Sequence, residues 1–163
     1  MIDYTKTVVG LDVHKESIVA AVLAPDSDRV ALTTKFENNS AALKIFVERL
    51  RSRGPLTFVY EAGPCGYQVH RDLTAQGQEC VVIAPGLIPK RPGDKVKTDR
   101  RDAEKLAQLQ RAGQLTAVQV PTRAQEADRD LVRAREDVLA ERLRARHRLS
   151  KFLLRQGLVW RET

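Results

Sequence analysis

Short runs of β-branched and apolar residues, broken at regular intervals by turn formers, dominate the first half of the chain. Thr7 to Leu11, Ser17 to Ala24 and Arg29 to Phe36 are three such runs, separated by Lys15-Glu16 and by Pro25-Asp26-Ser27-Asp28. They predict a three-stranded antiparallel meander. From Ser40, a plausible N-cap, the period changes: Ala42, Leu43, Phe46, Val47 and Leu50 recur at helical spacing up to Arg53, and Gly54-Pro55 ends the helix. Leu56 to Tyr60 then predicts a strand, Tyr67 to Gln76 a helix stopped by Gly77, and Cys80 to Ala84 a further strand closed by Pro85-Gly86. Strand, helix, strand implies parallel pairing, so the order β-β-β-α-β-α-β predicts a mixed sheet with helices on its faces.

The second half is built differently. Gly86 to Thr98 holds two prolines, two glycines and four Lys/Arg and predicts an irregular basic loop. A helix follows from about Asp99 to Ala112, with Ala103, Leu106, Ala107 and Gln110 on one face, and the run Leu115 to Val120 leads to Pro121. From Thr122 to Gln156 there is neither Gly nor Pro, and Arg, Glu, Leu and Ala dominate, which predicts one long helix. Ala127, Leu131, Ala134, Val138, Ala145, Leu149 and Phe152 lie mostly at steps of three, four or seven and sketch a coiled-coil seam. Division into a domain over 1–120 and a dimerisation arm over 121–163 is expected.

Composition narrows the function classes. The chain has 163 residues, 42% hydrophobic and 30% charged, enough for a real core. No apolar run approaches the ~18 residues of a membrane span, and Met1 to Thr7 lacks the basic start and apolar stretch of a secretory signal. A soluble, unexported, cytoplasmic protein is expected. Cys65 and Cys80 have neither disulfide-framework nor C-x-x-C spacing, so free thiols are expected. The net charge of +7 is uneven: residues 1–84 carry 9 Lys/Arg against 10 Asp/Glu, and residues 85–163 carry 19 against 11. A basic field confined to one half points to a polyanionic partner, nucleic acid being the commonest.

Four carboxylates stand where chemistry could use them. Asp12 ends the first strand in Gly10-Leu11-Asp12-Val13-His14-Lys15, and Glu61 directly follows the strand Leu56 to Tyr60. Asp99 and Asp102 are three apart at a helix start and share a face with Ala103 and Leu106, where buried carboxylates call for a compensating cation. Taken singly, each has an ordinary reading as a strand-end residue, and Asp99 also fits a helix N-cap with Asp102 helping at the third helical position. Together they match the oxygen ligands of two-metal phosphoryl chemistry, in which two Mg²⁺ or Mn²⁺ ions stand about 4 Å apart. Lys90, Arg91, Lys95, Lys97, Arg100 and Arg101 surround the Asp pair and suit a phosphodiester backbone, or a solvated loop. Arg142, Arg144, Arg146, Arg148 and Lys151 form a second basic run. His14, His70 and His147 lack metal-ligand spacing and read as surface or supporting residues.

The pieces GLDVHK at Gly10 to Lys15, YEAGPCGY at Tyr60 to Tyr67 and VIAPGLIPKRPGDKVKTDRRDAEKLAQL at Val82 to Leu109, with the basic helix after Pro121, resemble in their order the RuvC-like DEDD transposases of bacterial insertion sequences. This is the one-hundred-and-ten group, some of whose members are RNA-guided recombinases. The resemblance implies an α/β, RNase H-like (RuvC-like) mixed five-stranded sheet flanked by helices and followed by a long coiled-coil-type helix. It carries the family's four acidic Mg²⁺ ligands onto Asp12, Glu61, Asp99 and Asp102. It implies DNA strand cleavage and exchange, a structured guide RNA, a homodimer or higher oligomer, and a serine nucleophile on a C-terminal domain that this chain, ending at Thr163, does not include. Two alternatives compete: a non-catalytic nucleic-acid-binding and dimerisation module, and a relative of sugar or acetate kinases, which lacks support from any glycine-rich phosphate loop.

Overall fold

The computed structural model describes residues 5–25, 27, 29–89 and 98–159. Among them, β1 (Thr7–Val13), β2 (Ser17–Leu23) and β3 (Val30–Glu37) form the expected meander, and β4 (Leu56–Glu61) and β5 (Glu79–Ile83) follow the helices α1 (Ser40–Leu50) and α2 (Gln68–Ala75). The sheet order is β3-β2-β1-β4-β5. β1 pairs antiparallel with β2 and parallel with β4, which pairs parallel with β5. This is the expected mixed five-stranded sheet. The run before Pro121 adds a single antiparallel bridge, Ile83 with Ala117, and the Val118 amide donates to the Val82 carbonyl at 2.8 Å.

Two boundaries differ from expectation. Asn39, not Ser40, caps α1: its side chain accepts from the Ala42 amide at 2.8 Å, while the Ser40 hydroxyl donates to Asp72 at 2.6 Å. The helix also ends at Leu50, and Arg51–Arg53 form a 3-10 turn before Gly54, which takes φ +81°. Asn and Ser are near-equal caps, so the residue whose neighbours leave it facing the helix wins.

Strand alternation divides the core between the two faces of the sheet. Val9, Leu11, Ile18, Ala20, Val22, Phe58 and Tyr60 point to one side, where Leu43, Phe46, Val47 and Leu50 of α1 and Val69 and Leu73 of α2 cover them. Val8, Val19, Ala21, Leu23, Val59 and Ile83 point to the other, which α3 (Asp99–Arg111) covers through Ala103, Leu106 and Ala107. Burial of Leu106 alone stabilises by roughly 1.5–3 kcal/mol.

The central contact of that second face is made by a residue with no side chain. A Cβ on Gly10 would stand 2.1 Å from the Ala103 carbonyl oxygen and 2.7 Å from the Ala107 nitrogen. Backbone therefore meets backbone, and only glycine in the middle of β1 permits it. The far end of α3 is tied down by Arg111, only 5% exposed, whose guanidinium donates to the carbonyls of Lys6, Leu23, Ala24 and Pro25 at 2.9–3.3 Å. Five charge-bearing donors on one planar group suit such a cluster of carbonyls.

The chain divides into two compact units, Met1–Val120 and Pro121–Thr163. In the second, α4 (Arg123–Arg155) opens with a capping box between Thr122 and Gln125 and runs for 33 residues without a buried side chain. No helix of the described residues is long and apolar enough to cross a membrane. Cys65 and Cys80 are free thiols.

Gly10→Ala should lower stability by roughly 1–3 kcal/mol or more, read as a fall in the denaturant midpoint. Adding Ala103→Gly should not restore it, because the atoms in the way are backbone. A Gly10→Ala chain as stable as wild type would contradict the close approach.

Candidate metal centre

The contact at Gly10 determines what lies beyond it. On β1 the next residues on the same face are Asp12 and then, just past the strand end, His14. On α3 the residue one turn before Ala103 on the same stripe is Asp99. Strand end and helix start therefore meet. His14 Nε2 lies 3.0 Å from Asp12 Oδ2 and 3.5 Å from Asp99 Oδ1. The ligand atoms of all three residues fall within 4.8 Å of one another, a group able to hold a metal ion.

Local structure frees these side chains. Thr98 caps α3, its hydroxyl accepting from the Arg101 amide at 3.3 Å, so Asp99 stands inside the first turn instead of serving as the cap. The backbone of His14 is held on both sides: its amide donates to the Ser17 carbonyl at 2.9 Å, and its carbonyl accepts from the Asn38 side chain at 2.7 Å.

Asp12 is the most enclosed of the three, its side chain 22% exposed against 51% for Asp99 and 50% for His14. Burial pushes the Asp12 carboxyl above the usual carboxylate range; His14 pulls it back, and the charges of Asp99 and Asp102 raise it further. A half-buried carboxylate facing two others is a place where a cation is favoured. The donors, two carboxylates and an imidazole with solvent access, fit a divalent ion that keeps water in its remaining positions.

The family model of the IS110-type DEDD transposases, described as transposase, matches residues 9–156. The chain belongs to this transposase family. It is 39% identical over 155 residues to the transposase for insertion sequence element IS1533 of Leptospira borgpetersenii, covering 94% of this chain and 45% of that protein. It is 40% identical over 160 residues to y4qE, a transposase-like protein of Sinorhizobium fredii, covering 97% and 41%. The chain thus spans less than half the length of these relatives. Among solved structures it is similar to T. thermophilus RuvC in complex with Holliday junction substrate, with TM-score 0.48 and 12% identity over 69% of this chain and 99% of that one. It is also similar to the large terminase nuclease from thermophilic phage G20c, with TM-score 0.40 and 19% identity over 67% and 56%.

In this IS110-type chain the four acidic positions divide. Asp12 and Asp99 converge, and Asp102, partly buried one turn into α3, lies close enough for its charge to raise the Asp12 carboxyl. Glu61 ends β4, the parallel neighbour of β1, one step beyond the Leu11–Tyr60 pair and on the same face as Asp12. Its side chain is exposed and is not part of the converging group. His14, expected at the surface in a supporting place, is in that group. The signal for it was Asp12-Val13-His14, two residues apart where β1 ends, which brings both side chains to one side.

Of the basic residues, Lys90, Arg91, Lys95 and Lys97 lie outside the described residues. Arg100 pairs with Glu104 at 2.8 Å, and Arg101 is exposed.

Because the folded state holds the Asp12 proton more tightly than the unfolded chain does, its contribution to stability is present at low pH and lost as pH rises above about 3.8. In chelator at neutral pH, Asp12→Asn should therefore raise the denaturant midpoint, and the difference should vanish near pH 3. Denaturation of both chains at the two pH values checks this. A destabilised Asp12→Asn at neutral pH would contradict it.

Proposed function

We propose that this chain is the RuvC-like catalytic part of an insertion-sequence transposase, which binds Mg²⁺ or Mn²⁺ and acts on DNA in strand cleavage and exchange. The observation that carries the reading is the meeting of Asp12, His14 and Asp99 in a member of the DEDD transposase family. Asp12, Asp99, Asp102 and Glu61 are the residues proposed to hold the metal, with Asp12 and Asp99 at its centre. A divalent ion bound there would polarise a phosphodiester and offset charge developing on its oxygens.

The chain's own residues supply the rest. Asp12, least exposed, sets the floor of the site, and Asp99 and His14 leave it open to solvent on the side from which a nucleic-acid strand can approach. Glu61, exposed on the neighbouring strand end, turns inward when a cation and a phosphate supply the charge that draws it. Lys90, Arg91, Lys95, Lys97, Arg100 and Arg101 neutralise phosphates along the DNA. The serine nucleophile and the docking of a guide RNA are assigned to the part of the relatives that this chain does not span. The exposed Leu131, Val138, Leu149 and Phe152 of α4 favour self-association through that helix.

Calorimetric titration with Mn²⁺ and Mg²⁺ tests the reading. Wild type should bind, Asp12→Asn and Asp99→Asn should weaken binding tenfold or more, and duplex DNA should bind with strong salt dependence. Salt-dependent DNA binding by a chain that takes up no divalent ion would overturn the catalytic reading in favour of a nucleic-acid-binding module.

A further inference from the structure

We propose that His14 is itself a metal ligand, giving the site a nitrogen donor and a preference for Mn²⁺ over Mg²⁺. The proposal rests on the metal-binding reading above and goes beyond the acidic set, in which every donor is a carboxylate oxygen.

Three observations support it. The first is position: Nε2 stands 3.0 Å from one carboxylate oxygen and 3.5 Å from another, and these oxygens come from two separate elements, β1 and α3. Two atoms held in neighbouring positions by one ion at about 2.1 Å stand roughly 3 to 3.5 Å apart, so Nε2 is spaced from each carboxylate as one ligand of a shared cation is from the next, and all three donors lie within 4.8 Å of one another. The second is restraint. His14 follows the last residue of β1, its ring against Asp12, and the hydrogen bonds to Ser17 and from Asn38 hold its backbone there without using the ring. The third is accounting among the carboxylates: Glu61 is exposed and outside the group, so the third donor of the converging set is the imidazole.

The chemical consequence follows from donor type. Mg²⁺ is a hard ion that demands a near-ideal oxygen octahedron, whereas Mn²⁺, the first of the transition series whose later members favour imidazole, accepts a nitrogen donor more readily than Mg²⁺ does. Two carboxylates and an imidazole still admit Mg²⁺, with water in place of nitrogen, but the gain from the ring goes to the softer ion.

Electron spin echo envelope modulation of the full chain with one equivalent of Mn²⁺ tests this without reference to activity. Nitrogen coupling of a directly bound imidazole is expected, and ¹⁵N labelling of histidine should convert it to the ¹⁵N pattern. His14→Ala should abolish the coupling and weaken Mn²⁺ about tenfold or more, while Mg²⁺ affinity changes less than about threefold; His147→Ala should leave the spectrum unchanged. Bound Mn²⁺ without nitrogen coupling, or coupling that survives His14→Ala, would overturn the assignment of His14 and leave the carboxylate site standing. A wild-type chain that binds no Mn²⁺ would overturn both. The wild-type spectrum decides the matter even if a variant folds poorly.

Discussion

The approach of α3 to β1 over Gly10 is the constraint on which the rest of the structure depends. With a Cβ at that position the helix could not lie on the strand, because the atoms it would strike are the backbone oxygen of Ala103 and nitrogen of Ala107. Once the two backbones are in contact, the next strand residue on that face and the preceding helical turn must meet, and these are Asp12 and Asp99. The site is thus a by-product of packing at its neighbour. Ala103 and Ala107 keep the interface thin, Leu106 supplies much of its apolar burial, and Arg111 pins the opposite end of the helix to four carbonyls. A helix held over Gly10 and again at Arg111 has little freedom to slide, which keeps Asp99 against Asp12.

Much of this could be read along the chain, because strands and helices announce themselves through local period. The meander, the two crossover units and the start of α3 came from alternation and from turn residues acting within a few positions. The mixed character of the sheet then followed from the element order, strand-helix-strand implying parallel pairing. Asn39 as the cap of α1 was less legible, since two adjacent good caps compete and the choice rests on Ser40 finding Asp72 thirty-two residues away. The role of Gly10 was not legible at all. A glycine in a strand signals a bulge, a bend or a close approach alike, and only the partner helix decides among them.

The site shows the same division. Asp12, Glu61, Asp99 and Asp102 stood out by type and by placement at element ends, and two of them converge. His14 did not stand out because the three histidines lack metal-ligand spacing among themselves, whereas here it meets Asp12, two residues back at the end of β1. The basic residues could be named but not placed: Lys90, Arg91, Lys95 and Lys97 lie outside the described residues. α4 presents the converse case. Its period was plain, its capping box is formed, and its apolar residues Leu131, Val138, Leu149 and Phe152 are exposed, so periodicity marked a stripe without marking what covers it.

The measurement that bears most directly on the link from packing to chemistry is anomalous diffraction from a crystal of this chain grown or soaked with Mn²⁺. A single strong peak within bonding distance of Asp12, Asp99 and His14 is expected, with α3 lying on Gly10 as described. Manganese bound elsewhere while these three side chains remain paired only with one another would contradict the central claim, and would reduce the cluster to an ion-paired strand end.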